Sequence, residues 1–248
     1  MPDHIRSMKE VLRHLLYRSG GAKGLLLVKR ARGQPTRHLA GGTLEDRFAT
    51  IHRDRVWSTD GSVSGPGSDA HATAAVQIEL ARLLRDLGAT KVTDIGCGDF
   101  GWMQGVSGDF RYCGVDIVPE LIAELTLKYG NATRRFLHLD AAHDDLPEGD
   151  VALCREVLFH LSFADGLALL GNLHARGYRY LIATSDSATW FNADIPSGDY
   201  RPMNLAARPF WFPNPPWAIK DDCIVPGRIL GGWRLADLSI SRAARVRR

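Results

Sequence analysis

Three carboxylates stand where short apolar runs end: Asp94 in Val92-Thr93-Asp94-Ile95, Asp116 in Tyr112-Cys113-Gly114-Val115-Asp116, and Asp140 in Phe136-Leu137-His138-Leu139-Asp140. The first runs directly into a glycine-rich turn, Gly96-Cys97-Gly98-Asp99-Phe100-Gly101. Glycines let a backbone turn sharply and come close to a ligand, while a carboxylate at a strand end accepts hydrogen bonds from a cationic or hydroxylated group. The chemistry these residues suit is the seating of a nucleotide-like cofactor. Read literally, the turn also satisfies the dinucleotide pattern GxGxxG. Asp116, twenty positions after Gly96, suits ribose hydroxyls under either reading. Asp94 discriminates, because a nicotinamide site normally keeps that strand apolar and brings a pyrophosphate, which a carboxylate repels.

S-adenosylmethionine carries no phosphate, and its ammonium and sulfonium groups suit an acidic strand end. Asp140, followed by Ala141-Ala142, is placed to meet an adenine amino group. Over roughly residues 60 to 185 the chain resembles the class I S-adenosylmethionine-dependent methyltransferases. Their glycine-rich motif matches Asp94 to Gly101, their ribose acid Asp116 and their adenine-edge acid Asp140. Their motif after the fourth strand falls on Cys154-Arg155-Glu156-Val157-Leu158-Phe159-His160-Leu161. The resemblance implies cofactor contacts from Ser64, Gly65, Asp94, Gly96, Cys97, Gly98, Trp102, Asp116, Ile117, Asp140, Ala141 and Arg155.

Methyl transfer to a hydroxyl is an in-line displacement that also requires removal of a proton from the acceptor oxygen. His160 suits that task, since imidazole titrates near neutrality, and Glu156, four residues earlier, could orient the ring or act as the base. The alternative is that His160 caps a helix or satisfies a core hydrogen bond. Asp165 reads more simply as an acid in a helix's first turn.

A long polar stretch from about 185 to 217 reads as an acceptor lid. In it Trp190, Asn192, Asp194, Tyr200, Arg201 and Asn204 are candidates to stack on and hydrogen-bond a polyhydroxylated ligand; the competing reading is a self-packed loop. Asp186 and Asp194 are at most weak candidates for a divalent ion, and any metal requirement is open. Asn214-Pro215-Pro216-Trp217 looks like the Asn-Pro-Pro-aromatic motif of amino-group methyltransferases, but it follows the fifth strand rather than the fourth and reads as an extended connection. The run through Ser64-Gly65-Pro66-Gly67-Ser68, Gly98 to Met103, Gly114 to Glu120, His160 to Phe163 and Asp194-Ile195-Pro196 is similar to a bacterial group of small methyltransferases associated with glycan modification, although Glu156 stands where Asp is expected. That similarity implies O-methylation of a saccharide or other polyhydroxylated acceptor. The rival readings are an RNA or other amino-group methyltransferase and an NAD-dependent oxidoreductase.

Positioning such a site requires strands that end at one edge and helices that cover both faces. The pattern supplies them: a helix from Leu44; Ala72 to Leu87; strand 91 to 95; a short helix near Trp102; strand 111 to 116; Pro119 to Tyr129, with Pro119 suited to a first helical turn. Strands 135 to 140 and 150 to 154, helix Phe163 to Ala175 and strand Tyr178 to Thr184 follow. The expected fold is α/β, a Rossmann-like doubly wound, mostly parallel seven-stranded sheet with helices on both faces. Apolar runs at Cys223 to Val225 and Ile229 to Leu238 suggest an antiparallel pair closing the sheet.

The 248 residues, 45% of them hydrophobic, suffice for one large domain, read as 44–248, preceded by a basic extension, 1–43. Residues 1–38 hold nine Lys or Arg against Asp3 and Glu10, a net +7; the whole chain carries +3, so the remainder is −4. This arm reads as an amphipathic helix at about 4–18 and a loosely ordered linker, or as a contact for an anionic partner. It lacks interleaved aromatics for base stacking. Four cysteines, at 97, 113, 154 and 223, have neither metal nor disulfide spacing. No apolar run approaches bilayer-spanning length, and a reducing cytoplasm is the expected compartment.

Overall fold

The computed structural model describes residues 29–59, 62 and 64–240, together with 11, 15 and 26. The helix expected at about 4–18 and the basic tail from Arg242 lie outside the described residues. Seven strands form one sheet: β1 (Lys91–Ile95), β2 (Arg111–Asp116), β3 (Arg134–His138), β4 (Val151–Cys154), β5 (Tyr180–Asp186), β6 (Trp217–Lys220) and β7 (Arg228–Arg234). Their order is β3-β2-β1-β4-β5-β7-β6. The first five are parallel, whereas β7 runs antiparallel to both β5 and β6.

After Thr43 the α-helices among the described residues are α1 (Leu44–Arg53), α2 (Ala70–Asp86), α3 (Pro119–Tyr129) and α4 (Phe163–Ala175). Each start has a local cause. Thr43 and Asp46 form a reciprocal capping box at α1, Pro119 occupies the first turn of α3, and the Ser162 hydroxyl accepts from the Asp165 amide at α4. Alternation along the strands divides the core into two layers. Val92, Tyr112, Val151, Leu153 and Ile182 face Leu80 and Leu84 of α2 and Leu121 and Leu125 of α3. Ile95, Cys113, Val115, Ala152 and Cys154 face Leu169, Leu170 and Leu173 of α4. Helices therefore cover both faces, as a doubly wound sheet requires.

The antiparallel pair differs from expectation in its first member. Cys223 to Val225 form a turn, and the edge strand is Trp217–Lys220, so the extended proline-rich stretch leads directly into the sheet. Prolines that preclude helix leave Trp217 pointing at Gly232, where an added Cβ would lie 3.4 Å from the Trp217 Cβ. Part of the stretch read as a loosely ordered linker after about residue 18 lies among the described residues and is packed there. Thr36, His38 and Leu39 are buried, and the Lys29 ammonium lies 2.5 Å from an Asp199 carboxylate oxygen.

Among the described residues no helix is long and apolar enough to cross a membrane.

Candidate functional site

The carboxyl ends of β1, β2 and β4 open into a cleft. Of the residues singled out from sequence, Ser64, Asp94, Gly96, Cys97, Gly98, Trp102, Asp116, Ile117, Asp140, Ala141, Arg155, Glu156 and His160 all line it. Gly65 does not, nor do Trp190, Asn192, Asp194, Tyr200, Arg201 and Asn204.

The floor is the glycine turn. Gly96 and Gly98 take φ of 65° and 54°, a region open to glycine and costly for other residues. Every backbone N–H from 96 to 101 already has an internal acceptor. Gly96 and Cys97 donate to the Val115 carbonyl, Gly98 to Asp116 Oδ2, Asp99 to Ser64 Oγ, Phe100 to the Cys97 carbonyl and Gly101 to Asp99 Oδ1. The turn leads into a three-residue 3-10 helix, Met103–Gly105, rather than an α-helix. A diphosphate would find here neither a bare row of N–H groups nor the positive end of a long helix.

Carboxylates dominate the cleft. Asp94 is buried and accepts from the Tyr112 hydroxyl at 2.8 Å. Desolvation pushes its carboxyl up to about 7, with the nearby Asp116 adding to the rise and Tyr112 and Arg155 opposing it. Asp116 accepts from the Gly98 and Val118 amides, yet burial still holds it above the usual carboxylate range. Asp140 closes its own turn, accepting from the Ala142 amide and pairing with His143 Nδ1 at 2.8 Å. Arg155 adds little free charge. Its guanidinium forms a two-point pair with Asp221 at 3.0 and 2.9 Å and lies over the Trp102 ring. Burial pushes the Cys97 thiol well up, which leaves it a small apolar lining group.

Glu156 and His160 sit at the opening of β4. Glu156 has φ of 60°, outside helical space, and only then does a 3-10 turn, Leu158–His160, begin. Both side chains reach the same cleft, though not from the continuous helical turn the i,i+4 spacing suggests. The Glu156 carboxylate is held by Arg228 at 2.6 Å, and Arg228 also pairs with Asp186 at 2.9 Å and lies over the Phe159 ring. Burial nevertheless raises the Glu156 carboxyl above its ordinary range.

His160 stacks on Trp57, with ring centroids 4.1 Å apart. Its Nδ1 lies 2.9 Å from the Asp199 carbonyl. A carbonyl can only accept, so Nδ1 carries the proton and Nε2 keeps its lone pair. Desolvation lowers the imidazole to about 4, against the opposing pull of Asp199.

A roof closes the cleft from the amino-terminal side. Leu44, Phe48, Ile51 and His52 of α1 line it, as do Trp57 and Ser68. Segment 62–68 is laced to the glycine turn by Ser62 Oγ, which donates to Asp99 Oδ2, and by Ser64 Oγ. Fit is close: a Cβ on Gly67 would lie 1.9 Å from Glu156 Oε2, and one on Gly98 2.3 Å from Ser64 Oγ.

The polar stretch after β5 is mostly self-packed, which corrects the acceptor-lid reading. Asn192 bonds the backbone of Asn204 and Arg208, Asn204 donates to the Thr189 carbonyl, and Asp194 accepts from the Phe163 and Ile195 amides. Arg201 is fully buried, donating to the Leu161 carbonyl and lying over Phe163. A loop of this length holds its buried backbone polar groups only by such bonds, and these side chains supply them. Trp190 is 59% exposed, and Tyr200 is within reach of Arg228. Asn214 is exposed and stands outside the cleft, as its position after β5 implies. Asp186 is engaged by Arg228 and the Met203 amide, and among the described residues no group of three His, Cys, Asp or Glu could hold a metal.

The residues the sequence reading passed over are Phe48, Trp57, Arg228 and Lys29. Phe48 stands at helical spacing from Leu44 and Ile51, a pattern that reads as packing, and Trp57 opens a run too polar and glycine-rich for a strand or helix. Nothing local marked the two cations.

No protein-family model matches the chain, and no curated protein matches it. Among solved structures it is similar to the methyltransferase domain of a bacterial Hen1 protein, at 17% identity and a TM-score of 0.41, over 46% of this chain. It is similar also to human N-acetylserotonin methyltransferase in complex with SAM, at 15% identity and 0.48, over 69% of this chain. A third is magnesium protoporphyrin IX methyltransferase from Synechocystis with bound SAH, at 20% identity and 0.44, over 57%. The alignments span 65%, 50% and 70% of those chains respectively. Likeness at this level assigns no chemistry to the chain.

Proposed function

We propose that this protein is an S-adenosylmethionine-dependent methyltransferase acting on an acceptor hydroxyl, with His160 as proton acceptor. One observation carries the choice of cofactor. Asp94, Asp116 and Asp140 surround a glycine turn whose N–H groups are all engaged, and the arginine among the lining residues is neutralised by Asp221. Such a cleft favours a cationic nucleoside over a diphosphate, which argues against the nicotinamide reading. The residues fit S-adenosylmethionine: Asp116 for ribose hydroxyls, Asp140 and Ala141 for the adenine edge, Asp94 and the turn 96–98 for the amino-acid end. When bound it supplies a methyl group activated by the sulfonium.

The chain's own part is orientation and proton transfer. His160 is neutral throughout the physiological range and offers Nε2 as acceptor to a hydroxyl. With the methyl group so supplied, an acceptor oxygen would become acidic as it is alkylated, and His160 Nε2 would take its proton. A weakly basic imidazole suffices for so acidic a proton, and Trp57 keeps one face of the ring dry. Glu156, pinned by Arg228, is placed beside this step to hold the acceptor. A saccharide acceptor follows from the glycan-modifying group that the motifs resemble.

Calorimetric titration with S-adenosylhomocysteine, beside NAD, tests the cofactor. Micromolar binding of the former, lost in Asp116→Ala, supports the reading; saturation by NAD alone overturns it. Transfer of labelled methyl to a panel of saccharides then tests the acceptor.

A further inference from the structure

The amino-terminal segment reaches the catalytic histidine through one loop. The Lys29 ammonium lies 2.5 Å from Asp199 Oδ1, and the two side chains are only 18% and 8% exposed. The same Asp199 Oδ1 accepts from the Tyr200 amide, while the Asp199 carbonyl accepts a hydrogen bond from His160 Nδ1–H at 2.9 Å. On the other side of that residue the Gly198 amide donates to the His160 carbonyl at 2.8 Å. Helix α1 and the segment before it grip this loop a second time: Arg47 of α1 donates to the Ser197 carbonyl, and a Cβ on Gly198 would lie 3.3 Å from Ile51 of α1 and 3.5 Å from His38.

We infer that Lys29 is a positioning residue for His160: its ion pair with Asp199 fixes the carbonyl that sets the ring's tautomer and so keeps Nε2 bare. Geometry carries the inference. A single backbone carbonyl selects the tautomer, and the carboxylate of the same residue is anchored by a cation 170 positions away in the chain. The other groups facing the ring do not choose between its nitrogens. Trp57 stacks on it, Phe159 and Tyr200 meet it by edge or tilt, and Arg201 and Arg228 are felt through space as positive charge. The basic arm thus has a structural task at the site, separate from any anionic partner. The effect on turnover rests on the proposed role of His160; the effect on the tautomer does not.

The test is nitrogen NMR on full-length protein carrying ring-labelled histidine, with the His160 signals assigned by their loss in His160→Gln. In the unaltered protein Nδ1 should appear protonated and Nε2 bare at pH 7. Lys29→Met should give averaged ring shifts from mixed tautomers, and kcat should fall about tenfold with KM for S-adenosylmethionine little changed. Lys29→Arg should restore both. Asp199→Asn should reproduce the spectral change, with no further loss in the double variant. If Lys29→Met does not fold, Asp199→Asn decides in its place. A single, unaltered tautomer in whichever variant folds overturns the inference. Mixed tautomers together with full activity of His160→Gln would uphold the positioning and overturn the proton-acceptor role instead.

Discussion

Asp94 is the residue whose environment most departs from that of a surface carboxylate. Its folded value of about 7 lies above the ordinary 3.8, so the folded state holds the proton more tightly than the unfolded chain. Stability from this group therefore declines as pH rises from about 4 to about 7 and levels off above that. Asp94→Asn should remove the penalty, so that thermal unfolding of the ligand-free protein rises more at pH 8 than at pH 5. The same substitution should weaken S-adenosylmethionine binding at pH 8 and abolish the gain in affinity that the unaltered protein shows between pH 6 and 8. A carboxylate retained where it costs stability is the expected mark of a binding group. His160 runs the other way. With its value lowered to about 4 it stays neutral as the unfolded imidazole titrates, and it withdraws stability as pH falls from about 6.5 to 4. His160→Gln should reduce kcat by roughly 10² to 10⁴ while leaving S-adenosylhomocysteine affinity nearly unchanged, as single-turnover kinetics and calorimetry can separate.

At the scale of elements, segment 64–68 and the opening of β4 are fitted to each other without slack. Gly67→Ala should push the Glu156 carboxylate off its bond to Arg228, since the added methyl has no room. The expected outcome is a loss of about 1–3 kcal/mol in unfolding free energy with a larger fractional loss of kcat. Unchanged turnover in a folded Gly67→Ala protein would count against any part for Glu156 in catalysis. The elements themselves were the most legible part of the sequence. α3 and α4 begin and end where Pro119, the first-turn acid Asp165 and the apolar spacing place them, because first-turn residues and periodicity are local signals. Cys223 to Val225 misled for the opposite reason. Three apolar residues resemble a strand, but the register of β7 is set by pairing with β5, and its partner on the other side had to be the segment that could lie flat on Gly231 and Gly232. The polar stretch after β5 was legible in position and not in purpose, since composition cannot say whether Asn192 or Asn204 bonds a ligand or its own loop.

For the molecule as a whole, the pairings that unite the cleft join distant parts of the chain and left no trace in local sequence. Arg155 and Asp221 are 66 positions apart, with side chains 2% and 3% exposed. Removing one partner strands a buried charge, so Asp221→Ala should destabilise the protein by about 3–5 kcal/mol. The double variant Arg155→Met/Asp221→Leu should recover much of that, as chemical denaturation can measure. Asp94 and Asp116 were readable because each belongs to a strand that the same pattern predicts, and Asp140 because it follows β3 by two residues, although β3 ends at His138 and not at 140 as the pattern suggests; the cations that hold the site in place come from β7 and from the segment before α1.

This arrangement also sets an order of assembly. Lys29 meets Asp199 across 170 positions, and Arg228 meets Glu156 across 72. On a ribosome the roof residues emerge early and have nothing to clasp, while the glycine turn and β1 are made before the strand that steadies Glu156. Cofactor-sized space can exist in a nascent chain well before its reactive end is in register. Competence for transfer would then arrive late, with the antiparallel strands, so that a protein interrupted in synthesis could bind without reacting.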